Sequence, residues 1–216
     1  SPASAKPRVW ITRAEPGASR TAARLRDMGC EPLIQPLLAV EPLTPPLPDL
    51  DRFAALAFTS ANGVAAFAAL TPRRDRPVFA VGEATAGAAR EAGFVAVRSA
   101  DGDLTDLARL IAAELSQAVL LAPLAETPAG DLAAALDAAQ ARDVAVQTLT
   151  VYRTTWVVQV DPPPFDAVLI QSPRAAQALA SWATASPTRL AQAVCACISA
   201  AAAAPLTPLG LTPAVS

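Results

Sequence analysis

The sequence predicts an α/β protein: two similar domains, each on a parallel sheet, one inserted in the other and joined to it by a two-stranded linker. Three observations lead there. Short apolar β-rich runs alternate with stretches whose small and apolar residues recur at spacings of three and four, the pattern of strands joined by crossover helices. Two proline-ended extended segments interrupt that rhythm, and a short motif recurs in both halves. With 216 residues, 53% of them hydrophobic and 17% charged, the chain can bury a core as one large domain or two small ones.

Strand-like runs lie at 8–12, 56–60, 78–82, 95–98, 119–122, 144–149, 167–172 and 195–199, and helical patterns at 19–28, 62–70, 83–92, 104–115 and 173–182. The strands are apolar throughout, not alternating, because crossover helices cover both faces of a parallel sheet. The segment 35–48 runs extended into Pro42, Pro45, Pro46 and Pro48, and 146–164 runs through Val151, Tyr152 and Trp156 into Pro162, Pro163 and Pro164. Read as two crossings between domains, they divide the chain. Residues 6–36 with 165–216 make the first domain, 37–48 and 148–164 the crossing linkers, and 49–147 the inserted domain. The repeat agrees: the run from Phe53 to Ser60 matches that from Phe165 to Ser172 at an offset of 112. Gly82 matches Ser199 at an offset of 117, each followed by an alanine-rich helix and a glycine.

Composition removes several kinds of chemistry. A net charge of −2 offers nucleic acid no basic face, and the absence of histidine removes imidazole bases and imidazole-ligated zinc. Sixteen of the seventeen basic residues are arginine and the other, Lys6, lies in a polar N-terminal stretch, which leaves no candidate Schiff-base lysine. Cys30, Cys195 and Cys197 read as free thiols, the last two on one face of a strand. No export signal is read in 1–20, broken by Pro2, Pro7 and Pro16, so the cytoplasm is the expected compartment. The uncharged stretch 190–216 carries Pro205, Pro208 and Pro213; it reads as strand, helix and tail, and no membrane partner is expected. No Gly-x-Gly-x-x-Gly follows a strand, which argues against a dinucleotide-binding dehydrogenase.

Five motifs, in order, carry a resemblance. They are Ile11-Thr-Arg13 before Pro16 and Gly17, Phe58-Thr-Ser-Ala-Asn-Gly-Val64, Val81-Gly-Glu-Ala-Thr-Ala86, Val151-Tyr-Arg153, and Ser172-Pro173 at a strand end. Together, over about 8–210, the chain resembles the uroporphyrinogen-III synthase family. The resemblance implies two α/β domains joined by a two-stranded ladder, with the substrate in the cleft. It also implies a cofactor-independent, monomeric lyase of porphyrin and haem biosynthesis. The implied substrate is hydroxymethylbilane, a linear tetrapyrrole with eight carboxylates. Loss of its hydroxyl gives an azafulvene, ring D attacks through its substituted carbon, and a spiro intermediate opens and recloses with ring D inverted, yielding uroporphyrinogen III and water. Where the family's second half carries a glycine and two threonines, this chain has Ser199 and five alanines, and where the family often has Gly-Glu it reads Ala122-Pro-Leu-Ala-Glu126.

Ligands of parallel α/β folds gather beyond the carboxyl ends of strands, where helix N-termini offer free N–H groups. The candidates at such junctions are Thr12 and Arg13; Ser60, Ala61 and Asn62; Gly82 and Thr85; Ser172, Pro173 and Arg174; and Ser199 and Ala200. Ser60, Asn62 and Ser172 are equally readable as plain helix caps. Arg13, Arg153 and Arg174 are the candidate partners of acetate and propionate groups. Tyr152, matched to the family's Val-Tyr-Arg motif, is the candidate catalytic residue, hydrogen-bonding the departing hydroxyl; packing against Trp156 or the prolines is the alternative. Arg73, Arg74 and Arg76 are expected to form a solvated turn. No metal is expected. Two other classes remain: a non-catalytic relative that binds a tetrapyrrole or small anion, and a bilobal receptor, which would need an export signal.

Overall fold

The structure is a computed structural model that describes residues 5–15, 17–157 and 159–197 and the backbone of Ala214 and Val215. In chain order the elements are β1 (Arg8–Ile11), α1 (Gly17–Asp27), β2 (Glu31–Ile34), β3 (Leu38–Pro42), a 3-10 turn (Leu50–Arg52), β4 (Ala55–Phe58), α2 (Ala61–Leu70), β5 (Val78–Ala80), α3 (Glu83–Glu91), β6 (Val97–Ser99), α4 (Leu104–Glu114), β7 (Ala118–Ala125), α5 (Leu132–Ala138), β8 (Val144–Trp156), β9 (Ala167–Ile170), α6 (Pro173–Ala185), α7 (Pro187–Ala191), β10 (Val194–Cys197) and β11 (Ala214–Val215). The chain divides into two compact units, Ser1–Val40 with Thr155–Ser216, and Glu41–Thr154.

The unit made of the chain ends carries a sheet in the order β11-β10-β9-β1-β2, with each neighbouring pair parallel. β1 is apolar on both faces because both are covered. Val9 and Ile11 join Ala18, Ala22 and Leu25 of α1, while Trp10 joins Val168, Ile170 and the Ala175, Ala176 and Leu179 face of α6. The Trp10 ring packs against Phe165 and Trp182 at 5.1 and 4.8 Å, and its Nε1 donates to the Gln35 carbonyl at 2.8 Å. Cys195 and Cys197 are buried on one face of β10 as unpaired thiols.

The sheet containing the Glu41–Thr154 strands runs β3-β8-β7-β4-β5-β6. From β8 to β6 each neighbouring pair is parallel. β3 and β8 run antiparallel, since the Leu43 N–H bonds the Val151 carbonyl and the Val157 N–H the Leu37 carbonyl. In β4, Ala55 and Ala57 face the core under α4 and α5, and Phe58 packs on Phe67 of α2 and Phe94 after α3, at 5.9 and 6.1 Å. β8 departs from the expected apolar run. It is thirteen residues long, and exposed and buried positions mix along it.

Helix ends follow local chemistry. Asp103 and Asp106 form a reciprocal capping box on α4, and Asp131 caps α5. α1 and α3 both end in a left-handed glycine, Gly29 at φ 81° and Gly93 at φ 102°. In each the next residue's N–H returns to the third-last helical carbonyl, Cys30 to Leu25 and Phe94 to Ala89, which turns Phe94 into the core. Within the arginine loop, Arg73 and Arg76 make exposed ion pairs as a solvated turn would, and Arg74 departs from that expectation. Arg74 donates to the carbonyls of Ala68, Thr71, Arg73 and Ala92 at 2.7–3.1 Å and lies 5.1 Å from the Phe94 ring, tying the C-terminal ends of α2 and α3 together. Arg73 spans Asp51 and Asp75 at 2.8 and 2.7 Å, and these hydrogen bonds, with those from Arg76, hold the Asp75 carboxyl well below the usual carboxylate range.

Arg74→Ala leaves four carbonyls without their donor and is expected to destabilise the protein by roughly 2–3 kcal/mol, lowering Tm by roughly 4–12 °C in a thermal melt. Arg73→Ala is expected to lower Tm less, by an amount that shrinks as salt is added.

Candidate active site

The strands of each sheet place several of the candidate residues at their carboxyl ends. After β4 the chain turns at Ser60, whose extended backbone makes it the N-cap of α2 and whose Oγ accepts the Gly63 N–H at 3.0 Å. A Cβ on Gly63 would lie 3.0 Å from the Pro123 carbonyl oxygen, so a glycine lets α2 start against β7. After β5, Gly82 caps α3 with no side-chain bond, leaving the first amides of that helix free of a side-chain partner, and Thr85 is buried in its first turn. A cavity of about 210 Å³ opens at the same strand ends, lined by Thr59, Val81, Leu104, Leu124, Ala129 and Leu132 among others. Its walls are mostly apolar, and neither Thr59 nor the loop 128–130 was foreseen as part of a site.

Tyr152 reaches this edge through an irregularity in the sheet. β7 and β8 pair in constant register from Ala118 with Val144 to Leu124 with Thr150; then Ala125 faces Tyr152, one residue further on. Such a shift reverses which side the following residue faces, and here both Val151 and Tyr152 are buried in succession. The Tyr152 phenol, on a residue 7% exposed, has its hydroxyl 2.9 Å from Ser60 Oγ, a contact that joins residues 92 apart in sequence. Asn62 lies half-buried in the same turn. Arg153 is flanked by Glu41 and Glu126, each 3.6 Å from its Nε, so this expected partner of substrate carboxylates already faces two carboxylates of its own unit.

The other unit has its own strand-end groups. Ser172 repeats the Ser60 arrangement, accepting the Ala175 N–H at 3.0 Å, with Pro173 at the first helical position and Arg174 half-buried beside it. Arg13 folds its guanidinium over Gly17 at the start of α1; burial and then the neighbouring Arg20 push its pKa down. Thr12 is 0% exposed and its hydroxyl donates to the Leu169 carbonyl at 2.7 Å, bracing β1 against β9. That placement makes Thr12 a strut of the sheet, where a ligand contact was expected. Gln171 Oε1, one residue before Ser172, has no hydrogen-bond partner among the described residues, and sequence reasoning passed over it. Ser199 and Ala200 lie outside the described residues.

Among the described residues no three His, Cys, Asp or Glu side chains gather to hold a metal, and no helix is long and apolar enough to cross a membrane. Burial pushes the Cys195 thiol up to about 11, with the Cys197 sulfur adding to the shift, so neither supplies a thiolate near neutral pH. What the site can do rests on a phenol, hydroxyls, arginines and helix N-termini.

This is an α/β protein with parallel-dominated sheets whose strand ends carry helix N-termini, hydroxyls and arginines. The family model described as uroporphyrinogen-III synthase HemD matches residues 19–216, and the chain belongs to that family of haem-biosynthesis enzymes. It is similar in fold to the uroporphyrinogen-III synthetase of Helicobacter pylori, at 18% identity and a TM-score of 0.66 over 98% of this chain and 92% of that one. It is also similar to a mutant uroporphyrinogen III synthase from Thermus thermophilus, at 20% identity and a TM-score of 0.53 over 97% and 92%. Among the curated proteins none matches the sequence significantly.

Thr12→Val is expected to cost about 0.5–1.5 kcal/mol through loss of the hydrogen bond to the partly buried Leu169 carbonyl, with the Michaelis constant for substrate unchanged. A raised constant without a lower Tm would return Thr12 to ligand binding.

Proposed function

We propose that the chain converts hydroxymethylbilane to uroporphyrinogen III, inverting ring D and releasing water, without a cofactor. The observation that carries this reading is the Tyr152 hydroxyl beside the Ser60-capped start of α2, where a phenol meets a helix N-terminus at the strand ends. A phenol is neutral near pH 7 and has a proton to give, whereas ordinary exposed carboxylates are ionised there. In this reading Tyr152 protonates the terminal hydroxyl as its C–O bond breaks, water leaves, and the pyrrole nitrogen's electrons stabilise the azafulvene cation. Attack by the substituted carbon of ring D gives the spiro intermediate. That intermediate opens and recloses at the unsubstituted carbon, and the proton released there restores the phenol.

In the same reading the two units are the family's two domains, with 37–48 and 148–164 as the crossing segments. Carboxylates of the bilane are assigned to both sets of strand-end groups: Ala61 and Asn62 in the turn that Ser60 caps, with Gly82 and Thr85, in one, and Arg13, Ser172, Pro173 and Arg174 in the other. A carboxylate at a helix N-terminus gains roughly 0.3–1 kcal/mol from the dipole besides its hydrogen bonds. Arg153, already flanked by Glu41 and Glu126, reaches a substrate carboxylate only by exchanging partners. The protein's main task is conformational, because the bilane closes unaided to the unrearranged isomer.

Purified protein with no added metal or cofactor is expected to turn hydroxymethylbilane mainly into the type III isomer, resolved from type I by chromatography of the oxidised porphyrins. A product mixture equal to that of the protein-free control would favour the binding relative instead. Tyr152→Phe is expected to lower kcat at least about 10²-fold while leaving Tm nearly unchanged; unchanged turnover with a markedly lower Tm would assign Tyr152 to packing.

A further inference from the structure

We infer that Ser60 is a positioning residue for Tyr152: its hydroxyl turns the phenol's proton outward and couples the phenol oxygen to the N-terminus of α2. The inference rests on the reading of Tyr152 as proton donor and goes beyond it by giving Ser60 a task other than capping or substrate binding. A serine hydroxyl offers one proton and two lone pairs. One lone pair takes the Gly63 N–H at 3.0 Å, which is all that capping requires. The remaining proton and lone pair face the Tyr152 hydroxyl at 2.9 Å, where either oxygen is able to donate.

The two directions differ chemically. If the phenol donates to Ser60, its single proton is engaged within the protein and none is left for the substrate. If Ser60 donates to the phenol, the run is Gly63 N–H to Ser60 O–H to Tyr152 O–H, and the last proton is free to meet a departing hydroxyl. Only the second direction serves the reaction, and the reaction reinforces it. As the phenol gives up its proton, negative charge grows on an oxygen already receiving a hydrogen bond, and behind that bond stands an amide at the positive end of a helix dipole. Donation in the forward direction therefore strengthens as the C–O bond breaks.

Ser172 supplies the internal contrast. It caps α6 with the same bond, Oγ accepting the Ala175 N–H at 3.0 Å, and no second side chain approaches its hydroxyl within hydrogen-bond distance among the described residues. Among the described residues, a cap of the same geometry is thus made without a second side-chain partner. The register shift at Leu124/Ala125 that sets Tyr152 opposite Ala125 is what supplies that partner at Ser60.

The test is a mutant cycle on the whole protein: wild type, Ser60→Gly, Tyr152→Phe and the double variant, with Ser60→Thr as the conservative replacement. Glycine is chosen because it caps a helix almost as well as serine while removing the hydroxyl. Steady-state kcat and KM for hydroxymethylbilane, the isomer ratio and Tm are measured for each. Ser60→Gly is expected to lower kcat about 10-fold with little change in KM or Tm, Ser60→Thr to restore most of it, and the double variant to be no slower than Tyr152→Phe. Ser60→Ala, run in parallel, completes the same cycle if the glycine variant does not fold. A Ser60→Gly loss equally large in the Tyr152→Phe background, a loss confined to KM, or no rescue by threonine would overturn the inference and leave Tyr152 as donor intact. A Tyr152→Phe variant as fast as wild type would overturn both.

Discussion

Parallel strands cannot be joined by tight turns. Each chain passing between two of them must travel back along a face of the sheet, and here it does so as helix: α1 between β1 and β2, α2 between β4 and β5, α3 between β5 and β6. From that constraint the rest of the structure follows. Helices lie on the faces, so the central strands are buried on both sides and are apolar at every position, as in β4 with Ala55, Leu56, Ala57 and Phe58 all buried. Within each sheet every strand but β3 points the same way as its neighbours, so the crossover helices of that sheet begin at one edge. Ser60, Gly82 and Ser172, the caps of α2, α3 and α6, all occupy such strand ends. The edge that gathers free amides is thereby settled before any particular ligand is considered.

The same constraint explains what could be read from the residues and what could not. Val78–Ala80 was legible because complete burial leaves an unbroken apolar signature, and Ala167–Ile170 because its positions are buried or half-buried between covered faces. β2 was not, since Pro32 lies in it. As the last strand of its sheet it has a side with no ladder to complete, where a missing N–H is tolerated. α5 escaped notice because its seven residues are too short to show a period, and only the Asp131 cap marks it. The arginines of 73–76 look like surface charge in sequence. What distinguishes Arg74 is the position of four carbonyls, two of them at Ala68 and Ala92, which no local pattern encodes.

For the site, the motifs were enough to single out Ser60 and Tyr152 separately and to assign the family. Their pairing was not legible. It depends on β7 standing between β4 and β8 and on the one-residue register shift near Ala125; with uniform pairing Ala125 would face Val151 and the phenol would take the opposite side of the strand. Thr12 shows the converse. Its place after β1 is that of a ligand-binding hydroxyl, but β9 lies beside β1 and presents the Leu169 carbonyl to it, so the hydroxyl is engaged within the sheet. Strand neighbours, which are far apart in sequence, decide in both cases what a hydroxyl is free to do.

The two serine caps carry this one step further. Ser60 and Ser172 sit in matching motifs, each closing a strand and opening an alanine-rich helix, and each holds the third amide of its helix at 3.0 Å. As caps they are interchangeable. They differ in what the neighbouring strands bring: at Ser60 a tyrosine arrives from β8, two strands away across β7, and at Ser172 the preceding residue is Gln171, whose Oε1 has no partner among the described residues. Under the proposed function, the same cap holds a proton donor in one unit and leaves the corresponding position of the other to bind. The chemistry is added by a distant strand and a local change of register, with the cap itself unchanged. In a protein without histidine the proposed division of labour has a physical basis, since a phenol backed by a helix amide has a proton to move while helix N-termini and arginines hold charge.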